Sequence, residues 1–330
     1  MLLSDNTVGR GEQIRQAQHS RHLRPGIKDD ADFSDAIRHG DTEPVFVDSA
    51  TYRQMRGQIS SVSKIVWRVL TVKITQVRNA TLRIDFGNTR FLIDPYLAEK
   101  GTYEGFAASV DPAQPNPRAN VRNPTAELSV PLDQILAVDA VIVTHTHADH
   151  WDEAAIRLVP KRLPIFVQNE ADAATIRAQG FEDVRVLGDR AVFEGVTLTK
   201  TPGQHGSDDA HKLMGDVMGV LLQHPAEKRL YVAGDTVWND HVEGNLAEHA
   251  PQVVVVNAGD ARIVGLGAII MGVDDVKKVC EAAPDATVIA SHMEAVNHAE
   301  LTRETLRTDS ENRGYARNLL IPADGETISL

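Results

Sequence analysis

Val141-Ile-Val-Thr-His145-Thr-His147-Ala-Asp149-His150-Trp-Asp152 is the stretch that decides the fold. The apolar run Ala137–Val143 reads as a strand, and within six residues, 145 to 150, the chain then sets out three imidazoles and a carboxylate. In an extended turn, residues two apart point the same way. His145 and His147 can therefore grip one ion, and Asp149 and His150, past the bend, can face a second. Imidazole nitrogen and carboxylate oxygen suit zinc and neighbouring divalent metals. A merely solvated loop gives no reason for four ligand-type side chains to gather directly after a buried strand.

Four residues cannot close two sites, so further ligands are expected where other strands end. Three positions fit: His205 in Lys200-Thr-Pro-Gly-Gln-His205-Gly, Asp235 in Leu230-Tyr-Val-Ala-Gly-Asp235-Thr, and His292 in Thr287-Val-Ile-Ala-Ser-His292. Alone, each would ordinarily be a satisfied polar group; together with the first cluster they supply the missing ligands.

Outward from these points the pattern is one of short elements. Val72–Val77, Thr81–Phe86 and Arg90–Ile93 read as strands, the last two joined by a Gly87-Asn88 turn. A polar excursion rich in Pro, Asn and Gly runs from Glu99 to Pro131, long enough to be functional or disordered. Beyond it, Glu153–Leu158 and Asp172–Gln179 are helical, Ile165–Gln168 is strand-like, and Val192–Lys200 alternates with period two. Val217–Gln223 and Arg229–Ala233 form a hairpin through Pro225-Ala226-Glu227, and Val253–Asn257 and Thr287–Ala290 are buried strands. The order predicts an α/β (α+β) chain of two sheets with helices outside. Residues 1–70 lack sustained periodicity and carry Asp29-Asp30-Ala31-Asp32, so they are expected to form a mobile or loosely docked extension, or an over-long translated start. Residues 71–330 are expected to be the functional domain.

Composition narrows the function. The 330-residue chain has 34 Lys+Arg against 46 Asp+Glu, a net charge of −12, with 42% hydrophobic and 24% charged residues, an ordinary globular balance. A net acidic chain without a basic stripe argues against a nucleic-acid partner, and no apolar run approaches a membrane span. The start Met-Leu-Leu-Ser-Asp shows no basic stretch followed by an apolar one, so a cytoplasmic location is expected. Cys280 is the only cysteine, which excludes internal disulfides and multi-cysteine metal sites. It sits on the apolar face of a helix read over Val273–Ala283 and is expected to be a buried structural thiol.

His-x-His-x-Asp-His, a Gly-flanked His, Gly-Asp-Thr and a later strand-end His, together with Leu92-Ile-Asp94-Pro upstream, resemble the metallo-β-lactamase superfamily of binuclear metallohydrolases. The resemblance spans Val72 to Leu330. Asp94-Pro-Tyr-Leu, Gly203-Gln-His-Gly and His292-Met-Glu-Ala-Val-Asn-His298 are most similar to the ascorbate-6-phosphate lactonase-like and N-acyl-phosphatidylethanolamine phospholipase D-like branch. It implies a four-layer αββα sandwich with metals at one edge between the sheets. It also implies that His145, His147 and His205 hold a first metal, that Asp149, His150 and His292 hold a second, and that Asp235 bridges them. Asp94 would then be a structural residue behind the ligands. The implied cofactor is a pair of divalent ions, zinc first, with manganese or iron alternatives, sharing a hydroxide that attacks the substrate.

Further roles follow from position. Asp149 and Asp235 are candidates to accept the proton of the attacking water, and Asp152 to orient a ligating imidazole. His298, six residues after His292, is a candidate proton donor to the leaving group. His211 and Lys212 are candidates for a lid, Trp151 for packing beneath the metal loop, and Trp238 for the pocket or the sheet. The flavodiiron members carry Glu where this chain has His147, which favours hydrolysis of a small ester, lactone or amide. A phosphodiesterase, a mononuclear iron sulfur dioxygenase and a non-catalytic metal-binding protein are the alternatives. The substrate is expected to be a small molecule, and the oligomeric state, including a homo-oligomer, is open.

Overall fold

A computed structural model describes residues 71–330 except position 112; what was expected of residues 1–70 lies outside them. Lys73–Arg78 (β1), Thr81–Phe86 (β2) and Thr89–Ile93 (β3) form an antiparallel meander, with the Gly87-Asn88 turn where the sequence places it. After the excursion come a short helix, Leu132–Ile135 (α1), then Ala140–Val143 (β4), Glu153–Leu158 (α2), Ile165–Val167 (β5), Glu170–Ala178 (α3) and Val184–Val186 (β6). The second half holds Ala191–Phe193 (β7), Val196–Pro202 (β8), Asp208–Met214 (α4), Met218–Gln223 (β9), Leu230–Val232 (β10), Asp240–His249 (α5) and Val253–Asn257 (β11). It continues through the ribbon Arg262–Ile263 (β12) and Gly267–Ala268 (β13), Val273–Ala282 (α6), Thr287–Ser291 (β14), Arg303–Asn312 (α7), Leu319–Leu320 (β15) and Thr327–Ser329 (β16).

One sheet runs β16-β1-β2-β3-β4-β5-β6 and the other β15-β14-β11-β10-β9-β8-β7. Side-chain alternation explains their stacking. Leu82, Ile84, Phe86, Phe91, Ile93, Ile142 and Phe166 point inward to meet Leu198, Val220, Leu222, Val253, Val255 and Ile289 of the other sheet. The opposite faces pack on helices: Leu92, Val141 and Val143 against Ala155 and Ile176, and Val254, Val256 and Val288 against Val276, Val279 and Leu306. Strands apolar on both faces are those covered on both sides, and each fully buried side chain contributes about 1.5–3 kcal/mol. The layers are therefore helix, sheet, sheet, helix, as expected.

Period two in Val192–Lys200 does not make one strand. The chain turns at Glu194-Gly195, both with positive φ (47° and 82°), and β7 pairs antiparallel with β8. A glycine inside a strand pattern marked the break. The helices α4, α5 and α7 and the closing strand β16, beside β1, were not anticipated. Five of the helices start on side-chain caps, Asp152, Asn169, Ser207, Asn239 and Thr302, each accepting from backbone N–H groups of the first turn. Cys280 is buried and free among the α6 contacts, and burial pushes its thiol up to about 12, in keeping with a structural role. Among the described residues, no helix is long and apolar enough to cross a membrane.

Candidate metal centre

The side chains singled out in the sequence meet at one edge of the sandwich, past the carboxyl ends of β3, β4, β10 and β14, where α/β sheets commonly bind ligands. His145, His147 and His205 offer nitrogens mutually within 4.8 Å; so do His145 and His150 with an Asp235 oxygen, and Asp149, His150 and His292 among themselves. His145 Nε2 lies 2.9 Å from His147 Nδ1, and His150 Nε2 lies 3.2 Å from His292 Nε2. Asp235 Oδ2 reaches both groups, 3.2 Å from His150 Nε2 and 3.4 Å from His205 Nε2. Asp149 Oδ2 is 3.2 Å from His292 Nε2.

Partners behind the cluster fix which nitrogen faces inward. His147 Nε2 donates to the Met214 carbonyl at 3.0 Å and His205 Nδ1 to the Ile269 carbonyl at 2.7 Å. His150 Nδ1 donates to Asp94 Oδ2 at 2.9 Å. Thr144 Oγ1 gives its own proton to Asp94 Oδ2 and so accepts from His145 Nδ1 at 3.1 Å. For His145, His147 and His205 each outer bond leaves a bare lone pair pointing into the centre, and the bond to Asp94 turns His150 Nε2 the same way. Lone pairs 2.9 Å apart repel unless a cation lies between them, so the donor set fits divalent metal and fits little else. Asp94 (φ 44°) and His292 (φ 56°) both occupy the left-handed region, a strain of about 1–3 kcal/mol each that tends to gather at functional sites.

Electrostatics favour neutral His145 and His205, a charged His150 and anionic Asp149 and Asp235. Burial, reinforced by His150 and His147, holds His145 well below the usual imidazole range, and burial takes His205 down to about 4. Burial opposes charge on His150, yet Asp235, Asp149 and Asp94 together raise it well above its ordinary value. Burial likewise opposes ionisation of Asp149 and Asp235, but His150 and His292 hold both well below the carboxylate range.

Asp152 does not orient an imidazole. Its carboxylate caps α2 through the Ala155 N–H at 2.6 Å and accepts the Leu97 and Ala98 N–H groups at 3.0 and 2.8 Å. The position three after Asp149 is a helix N-cap, and Asp94 holds the imidazole instead. Two residues that sequence reasoning missed also touch the carboxylates. Asn79, at the β1–β2 turn with φ 52°, donates to the Asp149 carbonyl at 3.1 Å and to Asp149 Oδ2 at 3.3 Å. Asn257, ending β11, donates to Asp235 Oδ1 at 2.6 Å. Their signal was present, one an Asn in a tight turn and the other an Asn closing an apolar strand, but neither type announces a ligand.

A cavity of about 270 Å³ opens over the cluster. His147 and Asp149 form its floor; Phe106, Ala108, Met214, Ile263 and Ile269 supply apolar walls, and His298 is the polar group on the wall. Among the described residues no lysine or arginine lines it. His298 is not simply solvated: its Nδ1 is buried without a hydrogen-bond partner, and burial holds the ring below its ordinary pKa, although Asp149 pulls the other way. In the expected lid, Met214 closes α4 against the cavity and His211 Nδ1 accepts the His205 N–H at 3.4 Å, while Lys212 is exposed. Trp151 packs beneath the metal loop against Phe181, with ring centroids 5.2 Å apart, and Trp238 packs on the outer face of the second sheet.

Comparison with known proteins places this geometry. Residues 89–293 match the model of the β-lactamase superfamily domain. The chain is 49% identical over 260 residues to the UPF0173 protein YddR of Bacillus subtilis, covering 78% of this chain and all of that protein. It also resembles, at 25% identity over 222 residues, a UPF0173 metal-dependent hydrolase of Methanocaldococcus jannaschii, covering 67% of this chain and 93% of that one. Among solved structures, an isothiocyanate hydrolase from Delia radicum gut bacteria is 48% identical with TM-score 0.74, over 78% of this chain and 99% of that one. A possible metal-dependent hydrolase of Veillonella parvula is 41% identical with TM-score 0.75, over 79% and 100%. The chain therefore belongs to the metallo-β-lactamase superfamily, within its UPF0173 metal-dependent hydrolases.

Proposed function

We propose that residues 71–330 form a binuclear, zinc-type hydrolase that adds water to the electrophilic carbon of a small, uncharged substrate, with isothiocyanates as the first class to test. The observation that carries this is the apolar cavity, free of lysine and arginine among the described residues, directly over the His/Asp cluster. A phosphodiester would bring a negative charge that such walls leave unpaired, so the phosphodiesterase reading is weaker. The 48%-identical isothiocyanate hydrolase favours a carbon electrophile.

His145, His147 and His205 would hold one divalent ion, Asp149, His150 and His292 the other, and Asp235 both. Bound there, such ions lower the pKa of water toward about 7 and polarise an electrophile. The protein does the rest. Asp94, Thr144, Asn79 and Asn257 keep the inward-facing groups in register. The apolar walls exclude water and orient the substituent. For an isothiocyanate the reaction is R–N=C=S + H₂O → R–NH₂ + COS: the water oxygen bonds to carbon, the C–N bond breaks, and both water protons go to nitrogen. Asp149, on the cavity floor, accepts one proton from the attacking water and passes it to the leaving nitrogen. His298, kept neutral by burial, takes up a proton and returns it to the leaving nitrogen.

Turnover of benzyl and allyl isothiocyanates, nitrophenyl esters, lactones and bis-nitrophenyl phosphate tests this, together with elemental analysis of protein purified without added metal. Amine release from an isothiocyanate, or cleavage of an ester or lactone, is expected with two metals per chain. Cleavage of the phosphodiester alone, or iron with thiol-dependent oxygen uptake, would overturn it.

A further inference from the structure

The described residues of the Glu99–Pro131 excursion around Phe106 form a roof pinned by two buried asparagines, Asn123 and Asn297. Asn297, fully buried, accepts the Phe106 N–H on Oδ1 at 2.9 Å and donates from Nδ2 to the Phe106 carbonyl at 2.9 Å. The same Nδ2 donates to the Arg118 carbonyl at 3.0 Å, and Asn123 Nδ2 donates to the same Oδ1 at 2.9 Å. The Asn297 N–H in turn bonds Asn123 Oδ1 at 2.9 Å. The Asn297 amide is thus fully used, clamping the Phe106 N–H and carbonyl and tying them to Arg118 and Asn123. Gly105 presses so close that a Cβ there would lie 2.3 Å from the Ala119 carbonyl and 2.9 Å from Asn297 Nδ2. Further along, the Val264 N–H bonds the Ala108 carbonyl at 2.7 Å. A network satisfied this completely fixes one position for the Phe106 backbone. The Phe106 and His298 rings meet edge to face, centroids 5.2 Å apart at 82°, and both line the cavity together with Met214 and Ile269.

We propose that Phe106, locked by Asn297 and set edge-on against His298, selects the substituent of the substrate: it forms the wall of a slot that favours an uncharged aryl group over a short alkyl one. This rests on the proposed carbon-electrophile hydrolase only for the nature of the reacting end; selection of the substituent is a property of the wall. An aromatic edge and aliphatic side chains bracket a flat ring. Away from the His147 and Asp149 floor the described lining carries no lysine, arginine or carboxylate to hold a polar tail, so discrimination comes from apolar contact, about ten-fold or more for the contacts a ring gains over a propyl chain.

The test compares wild type, Phe106→Ala, Phe106→Leu and Gly105→Ala in two measurements. Binding of 2-phenylethanol and propan-1-ol, followed by NMR titration, needs no turnover. Wild type is expected to prefer the aryl alcohol by about ten-fold, and Phe106→Ala to lose most of that preference with its metal content unchanged. Phe106→Leu keeps apolar bulk and should retain part of it, which separates a lost wall from a misfolded roof. Gly105→Ala, which displaces the roof, should weaken aryl binding without removing the ring. The second measurement is kcat/KM for phenethyl against allyl isothiocyanate, whose ratio should collapse in Phe106→Ala mainly through KM of the aryl substrate. Equal aryl and alkyl binding by wild type, or a preference unchanged in Phe106→Ala, would overturn the proposal. Retained aryl binding with no turnover of any carbon electrophile would instead overturn the hydrolytic reading and leave the wall's role standing.

Discussion

The floor of the cavity is a set of short strand-end turns that carry imidazoles and carboxylates, each oriented by a buried partner a residue or an element away. Its roof, around Phe106, is a long irregular segment held by asparagine side chains to backbone carbonyls and N–H groups. The floor aims side chains by hydrogen bonds to those side chains; the roof positions backbone and leaves its side chain free to face the ligand. The difference teaches where substitutions should act. Changes in the floor alter metal content and the chemical step, whereas changes in the roof alter which substrate is held.

The largest effect is expected for Asp235→Asn. Asp235 Oδ2 lies within 3.4 Å of both His150 and His205 nitrogens, and Asn257 already occupies Oδ1. An amide offers one neutral oxygen and an N–H₂ that faces bare imidazole nitrogens without carrying charge. Metal content should fall below the wild-type stoichiometry and kcat by orders of magnitude, while circular dichroism stays native. Full activity with both ions retained would break the assignment of Asp235 to both sites.

Asp94→Asn should cost less, about 10–100-fold in metal affinity or activity, the range typical of partners behind a ligand. The carboxylate accepts from the Thr144 N–H, the Thr144 hydroxyl and His150 Nδ1, at 2.7, 2.7 and 2.9 Å. An amide nitrogen in place of Oδ2 would present a donor to two donors. Metal titration and kcat/KM measure this. An unchanged affinity would mean that ring packing alone orients His150.

The floor was legible in the sequence and the roof was not, for physical reasons. Ligand chemistry admits few residue types, and strand ends are marked by apolar runs, so His145, His147, Asp149, His150, His205, Asp235 and His292 were found as a group. The same apolar alternation exposed both sheets. Asp94 was marked only by the family resemblance of Leu92-Ile-Asp94-Pro, and Asp152, equally acidic and nearer the cluster, turned out to cap a helix. Asn79, Asn257 and Asn297 work through side-chain hydrogen bonds to partners 70, 22 and 191 positions away in sequence. No local periodicity encodes such a pairing. Phe106 itself is a lone aromatic in a polar excursion and gives no signal until the fold carries it over the cluster.

Asp152→Ala sharpens the same comparison from the other side, because it lies close to the floor without belonging to it. Losing the cap removes about 1 kcal/mol, and leaving the Leu97 and Ala98 N–H groups without an acceptor costs about 1–3 kcal/mol more for each. The melting temperature should fall clearly. Metal stoichiometry and kcat, measured well below that temperature, should stay within about two-fold of wild type, the scale of an effect that leaves no ligand displaced. A larger loss of kcat with metal retained would place Asp152 back among the groups that align the imidazoles.

The smallest effect is expected from removing residues 1–60. The cluster and its partners are drawn from Asn79 to His292, and the roof and its pins from Tyr103 to Asn297. β1, which begins at Lys73, is hydrogen-bonded on both sides by β2 and β16. Residues 61–72 remain in the shortened chain to lead into that strand. Metal content, melting temperature and the aryl-to-alkyl ratio should therefore match those of the full chain. A truncated protein that keeps its metal but loses the aryl preference would tie the N-terminal residues to the roof; one that loses metal would tie them to the floor.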